Sequence, residues 1–224
     1  GPEGGAHQSL ITPSIGVEIP ELSFYEPCFG QELEWIILSS LENIRTRTES
    51  TYLRLSSQRI DQSLFNPPQD PKFLELLRKQ VIYGAYKQID RSLEHDYNPK
   101  SNVVNIACSG VMVPEAIEAS NNLLEEGIFA NIINVTGPGP LYREFQKSIK
   151  ESISSKYEAS RFLMDLVPTE DRSAPLITLV DGHPHSLAWI GGAIGSPTFP
   201  LGVTEYGQSG NPPELYEEYG IDVQ

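Results

Sequence analysis

The hydrophobic pattern is most regular in the second half of the chain, where short apolar runs alternate with amphipathic segments. The runs have the length of buried strands, and the segments between them repeat apolar residues at helical spacing. The predicted strands are Asn102 to Cys108, Ala130 to Val135, Leu176 to Asp181 and Leu201 to Glu205. The predicted helices are Pro114 to Glu126, a helix with Leu141, Phe145, Ile149 and Ile153 in one row, Tyr157 to Leu166, His185 to Ile194, and a short proline-started helix that Gly220 ends.

The first half of the chain is less regular. Gly1 to Pro20 is dense in Gly, Pro, Ser and Thr, so it is predicted to be a loop. Gly30 to about Thr46 has the apolar spacing of a helix, and its wide apolar face predicts burial on most sides beneath a sheet. Three further elements are predicted: a strand at Thr51 to Ser56, a short helix from Pro71 to about Lys79, and a strand at Val81 to Ile89.

Strands that alternate with helices at this spacing favour an α/β fold, a three-layer sandwich with a mostly parallel (mixed) sheet. We expect an incomplete α/β unit over residues 1 to 60, a linker over residues 61 to 71 and a compact domain over residues 72 to 224. Because the chain begins with Gly1 rather than Met, in what looks like a functional loop, we expect it to be a fragment of a larger polypeptide.

Composition narrows the classes of partner. The net charge of -14, from 30 acidic and 16 basic residues, argues against nucleic acid and against an anionic membrane. Cys28 and Cys108 have no C-x-x-C spacing, so neither a disulfide framework nor a zinc site is expected, and a reducing cytoplasm fits best. The absence of a long apolar run predicts that nothing spans a membrane.

The residues offer no complete catalytic set. His7 lies in a glycine-rich loop, where its imidazole can exchange a proton near neutral pH, although an ordinary loop histidine has the same pattern. His183 and His185 follow a predicted strand beside Asp181, but no third metal ligand is evident, so we interpret them as capping or partner contacts. Arg54 and Arg59 flank a strand end, where they could meet an anionic group, but we interpret them as a solvated surface pair.

Five stretches carry a family resemblance: Gly1 to Ser9, Phe24 to Phe29, Tyr52 to Ser56, Val180 to His185 and Leu201 to Asp222. Together they resemble the transketolase-like thiamine diphosphate enzymes, with the homodimeric pyruvate (2-oxoacid) dehydrogenase decarboxylase component nearest among them. Gly1 to Ser9 is similar to the G-P-T-H-Q active-site loop of transketolases. Phe24 to Phe29 and Tyr52 to Ser56 resemble the end of that family's pyrimidine-binding domain. Val180 to His185 and Leu201 to Asp222 resemble its C-terminal domain.

The resemblance implies that residues 1 to 60 end a pyrimidine-binding domain and that residues 72 to 224 form a transketolase C-terminal domain. It implies that thiamine diphosphate and magnesium bind upstream domains of the same polypeptide, and that this chain is inactive alone. His7 would contact substrate, with Gln8 and Ser9 as supporting neighbours and His183 and His185 as substrate or partner contacts. The implied partners are a second copy of the full-length subunit and a lipoyl acyltransferase component.

Two alternatives stay open. The domain would be an independent regulatory module if the loops around Gly182 to Ser186 and Gly207 to Asn211 bind a small ligand or a partner. It would be part of a sugar-phosphate transketolase if the parent enzyme acts on sugars. Gly5-Ala6 stands where the transketolase loop has P-T, which favours a 2-oxoacid over a sugar phosphate.

Overall fold

The computed structural model describes residues 9–47, 49–154 and 162–223. Its larger sheet contains β3 (Tyr86–Ile89), β4 (Val103–Cys108), β5 (Phe129–Asn134), β6 (Leu176–Leu179) and β7 (Thr198–Leu201). The strand order is β3-β5-β4-β6-β7, and only β3 runs antiparallel to its neighbour. The prediction of an α/β fold with a mostly parallel mixed sheet is confirmed.

Helices cover both faces of this sheet, as parallel strands require. On one face, α4 (Val113–Glu125) packs its buried residues against β4 and β5. On the other face lie α5 (Pro138–Ser154), α6 (Phe162–Leu166) and α7 (His185–Ile194), which bury Leu141, Leu166 and Leu187 against the sheet. Every residue of β5 is buried, so the centre of the core is at β4 and β5.

A second, two-stranded sheet lies before the larger one in the chain. It pairs β1 (Leu22–Tyr25) with β2 (Ser50–Leu53) in parallel, and α2 (Gly30–Arg47) connects the two strands. Helix α1 (Thr12–Glu18) and α5 pack against β1, and the close approach leaves no room for a Cβ at Gly16 or Gly139. Because two strands are marginal by themselves, these contacts with the larger domain stabilise the small sheet.

Three predictions of element bounds need correction. Helix α1 lies inside the stretch that was predicted to be a loop. Helix α3 (Pro71–Tyr83) continues past Lys79, because Asp70 caps its start and the chain first adopts a helix-ending conformation at Gly84, with φ of +125°. Strand β7 precedes the predicted Leu201 to Glu205, because its pairing with β6 ends at Leu201. Its Pro200 is tolerated because β7 is an edge strand.

The prediction that α2 is buried on most sides is also wrong. Trp35 and Ile36 are buried against α3 and the adjoining strands, but four apolar side chains on the opposite side are exposed: Ile37, Leu38, Leu41 and Ile44. We call these four residues the α2 stripe.

The last element of the fold is a short C-terminal helix, α8 (Pro212–Glu218), and the predicted Gly220 stop follows it with φ of +60°. In the described part of the chain, no helix has the length and hydropathy to cross a membrane.

Candidate functional site

Four polar side chains meet where four strands end. Glu26 directly follows β1, Arg54 follows β2, Ser109 follows β4, and Asp181 lies just beyond β6. Functional side chains of open α/β sheets collect at the carboxyl ends of strands. This arrangement therefore marks the edge at which the small sheet and the large sheet meet.

Arg54 is the centre of this cluster. Its Nη1 donates to Glu26 Oε1, and its Nη2 donates to the backbone oxygen of Asp181 at 2.6 Å and to Asp181 Oδ2 at 3.4 Å. The Glu26 side chain is only 3% exposed, whereas Arg54 is 23% and Asp181 39% exposed. The interpretation of Arg54 as a solvated surface residue is wrong, because it bridges a buried and a half-buried carboxylate; Arg59 is exposed.

Glu26, which follows β1 of the small sheet, is hydrogen-bonded to residues that follow strands of the large sheet. Its backbone N–H donates to Thr136, its backbone oxygen accepts from Gly110, and Ser109 Oγ lies 3.4 Å from its carboxylate. Burial raises the pKa of Glu26 to about 7, although the charge of Arg54 opposes the shift. Gly110 has φ of +54°, and a Cβ there would lie 2.7 Å from Glu26 Cγ, so only glycine fits beside this carboxylate.

A cavity of about 520 Å³ opens above the cluster. Glu26, Arg54 and Asp181 line it, and apolar and aromatic side chains from α8 and the loops supply much of the rest. On one side Tyr216 of α8 donates to Gln58 Oε1 across 3.3 Å, which joins the C-terminal helix to the loop after β2. The volume is within the range of small-molecule sites in proteins.

The structure describes three of the five site residues predicted from the sequence. Ser9 is exposed on the rim of the cavity, where its Oγ accepts from Thr12. His183 and His185 lie beside the cavity lining, with their Nδ1 atoms 2.5 Å apart and with Glu18 3.9 Å from His185 Nε2. His7 and Gln8 lie outside the described residues.

Sequence reasoning missed Glu26 as a site residue. No strand is predicted before Glu26 from the sequence, so the position of Glu26 directly after β1 gave no signal. A second buried carboxylate, Glu32, also went unnoticed, and it caps α2. Its Oε2 accepts from the backbone N–H groups of Cys28 and Phe29, both at 2.8 Å, as in a capping box.

Glu32 is completely buried, and its other oxygen accepts from Tyr86 at 2.7 Å and from Asn134 at 2.9 Å. Burial raises the pKa of Glu32 to about 7, against the hydrogen bonds that favour the carboxylate. With four donors satisfied inside the core, Glu32 is a structural group.

The described residues do not fit a diphosphate and its metal ion. Within them, no group of three His, Cys, Asp or Glu side chains is placed to hold a metal. The glycine-proline loop before α5 is not an anion cradle, because the Gly137 N–H donates to Gly84 and Pro138 has no N–H. Any chemistry of a bound thiamine diphosphate therefore depends on residues other than these.

Comparison with known proteins identifies the fold of the chain through solved structures only. No family model matches the sequence, and no curated protein matches it. A mutant transketolase from Pichia stipitis superposes on the whole chain with a TM-score of 0.70 at 16% identity, and 26% of that protein is covered. The chain has a transketolase-like fold.

Two further transketolases support this result. The enzyme from Leishmania mexicana covers 100% of the chain with a TM-score of 0.68 at 19% identity, over 27% of its own length. A split-gene transketolase, described as an inactive beta4 tetramer, covers 98% of the chain with a TM-score of 0.62 at 16% identity, over 60% of its own length. The five-stranded sheet and its helices correspond to a transketolase C-terminal domain. The chain spans about a quarter of the full transketolases that it matches.

Proposed function

We propose that this chain is the C-terminal portion of a thiamine diphosphate-dependent 2-oxoacid (pyruvate-type) dehydrogenase decarboxylase subunit. Residues 1 to 60 end the pyrimidine-binding domain, residues 61 to 71 form a linker, and residues 72 to 224 form the C-terminal domain. The chain is structural and helps to form the homodimer, and His7 contacts substrate only in the full-length enzyme. Ser9, His183 and His185 are proposed as substrate or partner contacts on the same edge.

The observation that carries this proposal is the match of the whole chain, small sheet included, to about a quarter of a transketolase. An independent domain would not need the two-stranded sheet, which is short and open at its edges. The exposed α2 stripe and the exposed Ile11, Ile15 and Ile19 near α1 are also apolar surfaces that further polypeptide would cover.

The fold supports a sugar-phosphate transketolase equally well. The charge of the cavity lining distinguishes the two substrate classes. Among the described residues that line the cavity, Arg54 is the only cation, and Glu26 and Asp181 share it. A phosphate monoester is close to a dianion at neutral pH and is best held by several free donors. The lining of this cavity favours the 2-oxoacid.

Two measurements test the proposal. Titration calorimetry of this chain with thiamine diphosphate and Mg²⁺ is expected to give no binding, and pyruvate is expected to give no turnover. The polypeptide expressed together with its upstream coding sequence is expected to decarboxylate pyruvate or a related 2-oxoacid. Turnover by this chain alone, or a full-length enzyme that transfers ketol groups between sugar phosphates and leaves 2-oxoacids intact, would overturn the proposal.

The cavity itself favours one second candidate, a regulatory module that binds a small ligand. Its volume of about 520 Å³ and its few convergent polar groups are typical of a ligand site. Calorimetry of this chain against nucleotides and against an acyl-carrier domain distinguishes the candidates. Saturable heat with any of them supports a regulatory role, and no heat with all of them counts against it.

A further inference from the structure

The cation in the cavity is already bound by protein oxygens. Arg54 uses Nη1 for Glu26 and Nη2 for the backbone oxygen and side chain of Asp181. Its two terminal nitrogens, which would form a bidentate grip on a phosphate, are therefore both engaged by protein oxygens. The described lining holds no second Lys or Arg to replace it.

A phosphate that bound both terminal nitrogens of Arg54 would have to compete with Glu26 for Nη1. Glu26 is 3% exposed, so its carboxylate would then be buried without a cation. Removing one partner of a buried ion pair is strongly unfavourable. The incoming dianion would also lie next to two carboxylates, whose repulsion the low-dielectric surroundings strengthen.

We propose that Glu26 is a specificity-determining residue that holds Arg54 away from phosphate, so that the cavity admits only unphosphorylated ligands. The assignment of those ligands as 2-oxoacid substrates rests on the proposed function. Ser9 and Leu10 border the cavity two and three residues after His7, so the cavity adjoins the loop that the resemblance assigns to the substrate.

The other walls suit the far end of such a substrate. A pyruvate-type 2-oxoacid carries its one charge beside the reacting carbonyl, so the remainder of the molecule is uncharged. Leu10, Val111 and Leu215 offer an apolar lining for that remainder, and Tyr52 and Tyr216 add aromatic surface. A sugar phosphate would instead bring its charged end into the same space.

The test is binding of inorganic phosphate to this chain, measured by titration calorimetry at constant ionic strength. The wild-type chain is expected to show no saturable binding at millimolar phosphate. Glu26→Gln keeps the size of the side chain and removes its charge, so it weakens the contact with Arg54 and is expected to tighten phosphate binding about tenfold or more. The double variant Glu26→Gln with Arg54→Met is expected to lose that gain.

Two further variants keep the experiment decisive. Glu75→Gln removes one charge from an exposed pair with Arg78 on α3, and it is expected to leave phosphate binding as weak as in the wild type. If Glu26→Gln fails to fold by circular dichroism, Asp181→Asn replaces it, because Asp181 is 39% exposed and is also expected to free part of Arg54.

Saturable phosphate binding by the wild type would overturn the inference. The inference would also fail if the folded Glu26→Gln or Asp181→Asn variant bound phosphate no better than Glu75→Gln. These readouts require no enzyme activity. A full-length protein without 2-oxoacid turnover would therefore overturn the proposed function. The role of Glu26 in excluding phosphate would still be decided by the phosphate titrations alone.

Discussion

Arg54 donates a hydrogen bond of 2.6 Å to the backbone oxygen of Asp181, a residue 127 positions later in the chain. The contact joins the end of β2 in the small sheet to the end of β6 in the large sheet. Because Arg54 also pairs with Glu26 after β1, one side chain links three strand ends. Arg54 thus joins the small sheet to the large domain at the edge where the cavity lies.

Replacing this arginine is expected to be costly. Arg54→Met leaves Glu26 buried without its cation and removes the hydrogen bond to Asp181, so we expect a loss of about 3 kcal/mol in the free energy of unfolding. Urea denaturation followed by circular dichroism measures the change. Arg45→Met is the matched control, because Arg45 pairs with Glu42 on an exposed surface, and it is expected to leave the urea midpoint unchanged. Equal midpoints for the two variants would contradict the structural role of Arg54.

The buried carboxyl group of Glu32 predicts an unusual pH dependence. Burial raises the pKa of Glu32 from 4.5 to about 7, so the folded protein binds a proton that the unfolded chain has already released. The contribution of this group to stability is therefore complete below about pH 4.5 and is lost as the pH rises through about 7. The thermal midpoint is expected to fall between pH 5 and pH 7.5.

The variant Glu32→Gln checks the origin of this slope. It keeps an oxygen that can accept from the first turn of α2 but cannot titrate, so the fall in midpoint between pH 5 and pH 7.5 is expected to become shallower. The pKa values of Asp61, Glu75 and Asp90 are lowered by their hydrogen bonds, so these groups titrate below this window. A slope in Glu32→Gln as steep as in the wild type would show that Glu32 does not cause it.

Two adjacent glycines of α7 are expected to respond in opposite directions to the same substitution. A Cβ at Gly191 would lie 1.6 Å from Thr198 Oγ1 and 2.6 Å from its Cβ, so Gly191→Ala must push α7 away from β7. We expect a loss of about 2 kcal/mol from such overpacking. A Cβ at Gly192 meets nothing within 4 Å, and alanine is the better helix former, so Gly192→Ala is expected to stabilise by about 0.5 to 1 kcal/mol. Thermal unfolding of both variants tests the pair, and the same sign for both would contradict the packing seen here.

The fold was predictable from the sequence where burial and local pattern agree. Strands β4 and β5 are buried almost throughout, so their apolar runs predict them within a residue. His185 to Ile194 was predicted with its observed ends, because Gly195 in the left-handed conformation stops it. The pattern failed where tertiary pairing decides, as at β7, whose pairing with β6 and not its own hydrophobicity sets where it ends.

The candidate site was less predictable. Its cluster joins residues from four separate strand ends, and a single sequence does not reveal that Arg54 and Asp181 are neighbours. The exposure of the α2 stripe also could not be predicted from the sequence. Four apolar residues on a helix have the same pattern whether this chain or another polypeptide covers them. Both misjudgements concern contacts between distant segments.

The α2 stripe gives the last prediction. Ile36 is fully buried, whereas Leu41 on the same helix is 59% exposed. Ile36→Ala is therefore expected to cost this chain about 3 kcal/mol, and Leu41→Ala is expected to change its stability by less than about 0.5 kcal/mol. Urea denaturation compares the two variants, and a large loss for Leu41→Ala would mean that the stripe is already packed within this chain.

In the full-length polypeptide, by contrast, substitution of Leu41 is expected to have a large effect. We propose that the remaining domains or the second subunit cover the α2 stripe there. Leu41→Lys would then bury an unpaired charge, which is strongly unfavourable. Sedimentation velocity of the full-length protein is expected to show weakened assembly or loss of the compact species for Leu41→Lys. Glu42→Gln, at the exposed position next to it, raises the net charge by the same one unit as Leu41→Lys, so it is the matched control and is expected to sediment as the wild type does. Identical sedimentation of Leu41→Lys and the wild type would mean that the stripe stays exposed in the longer polypeptide, and it would contradict the proposed role of the stripe as a contact surface.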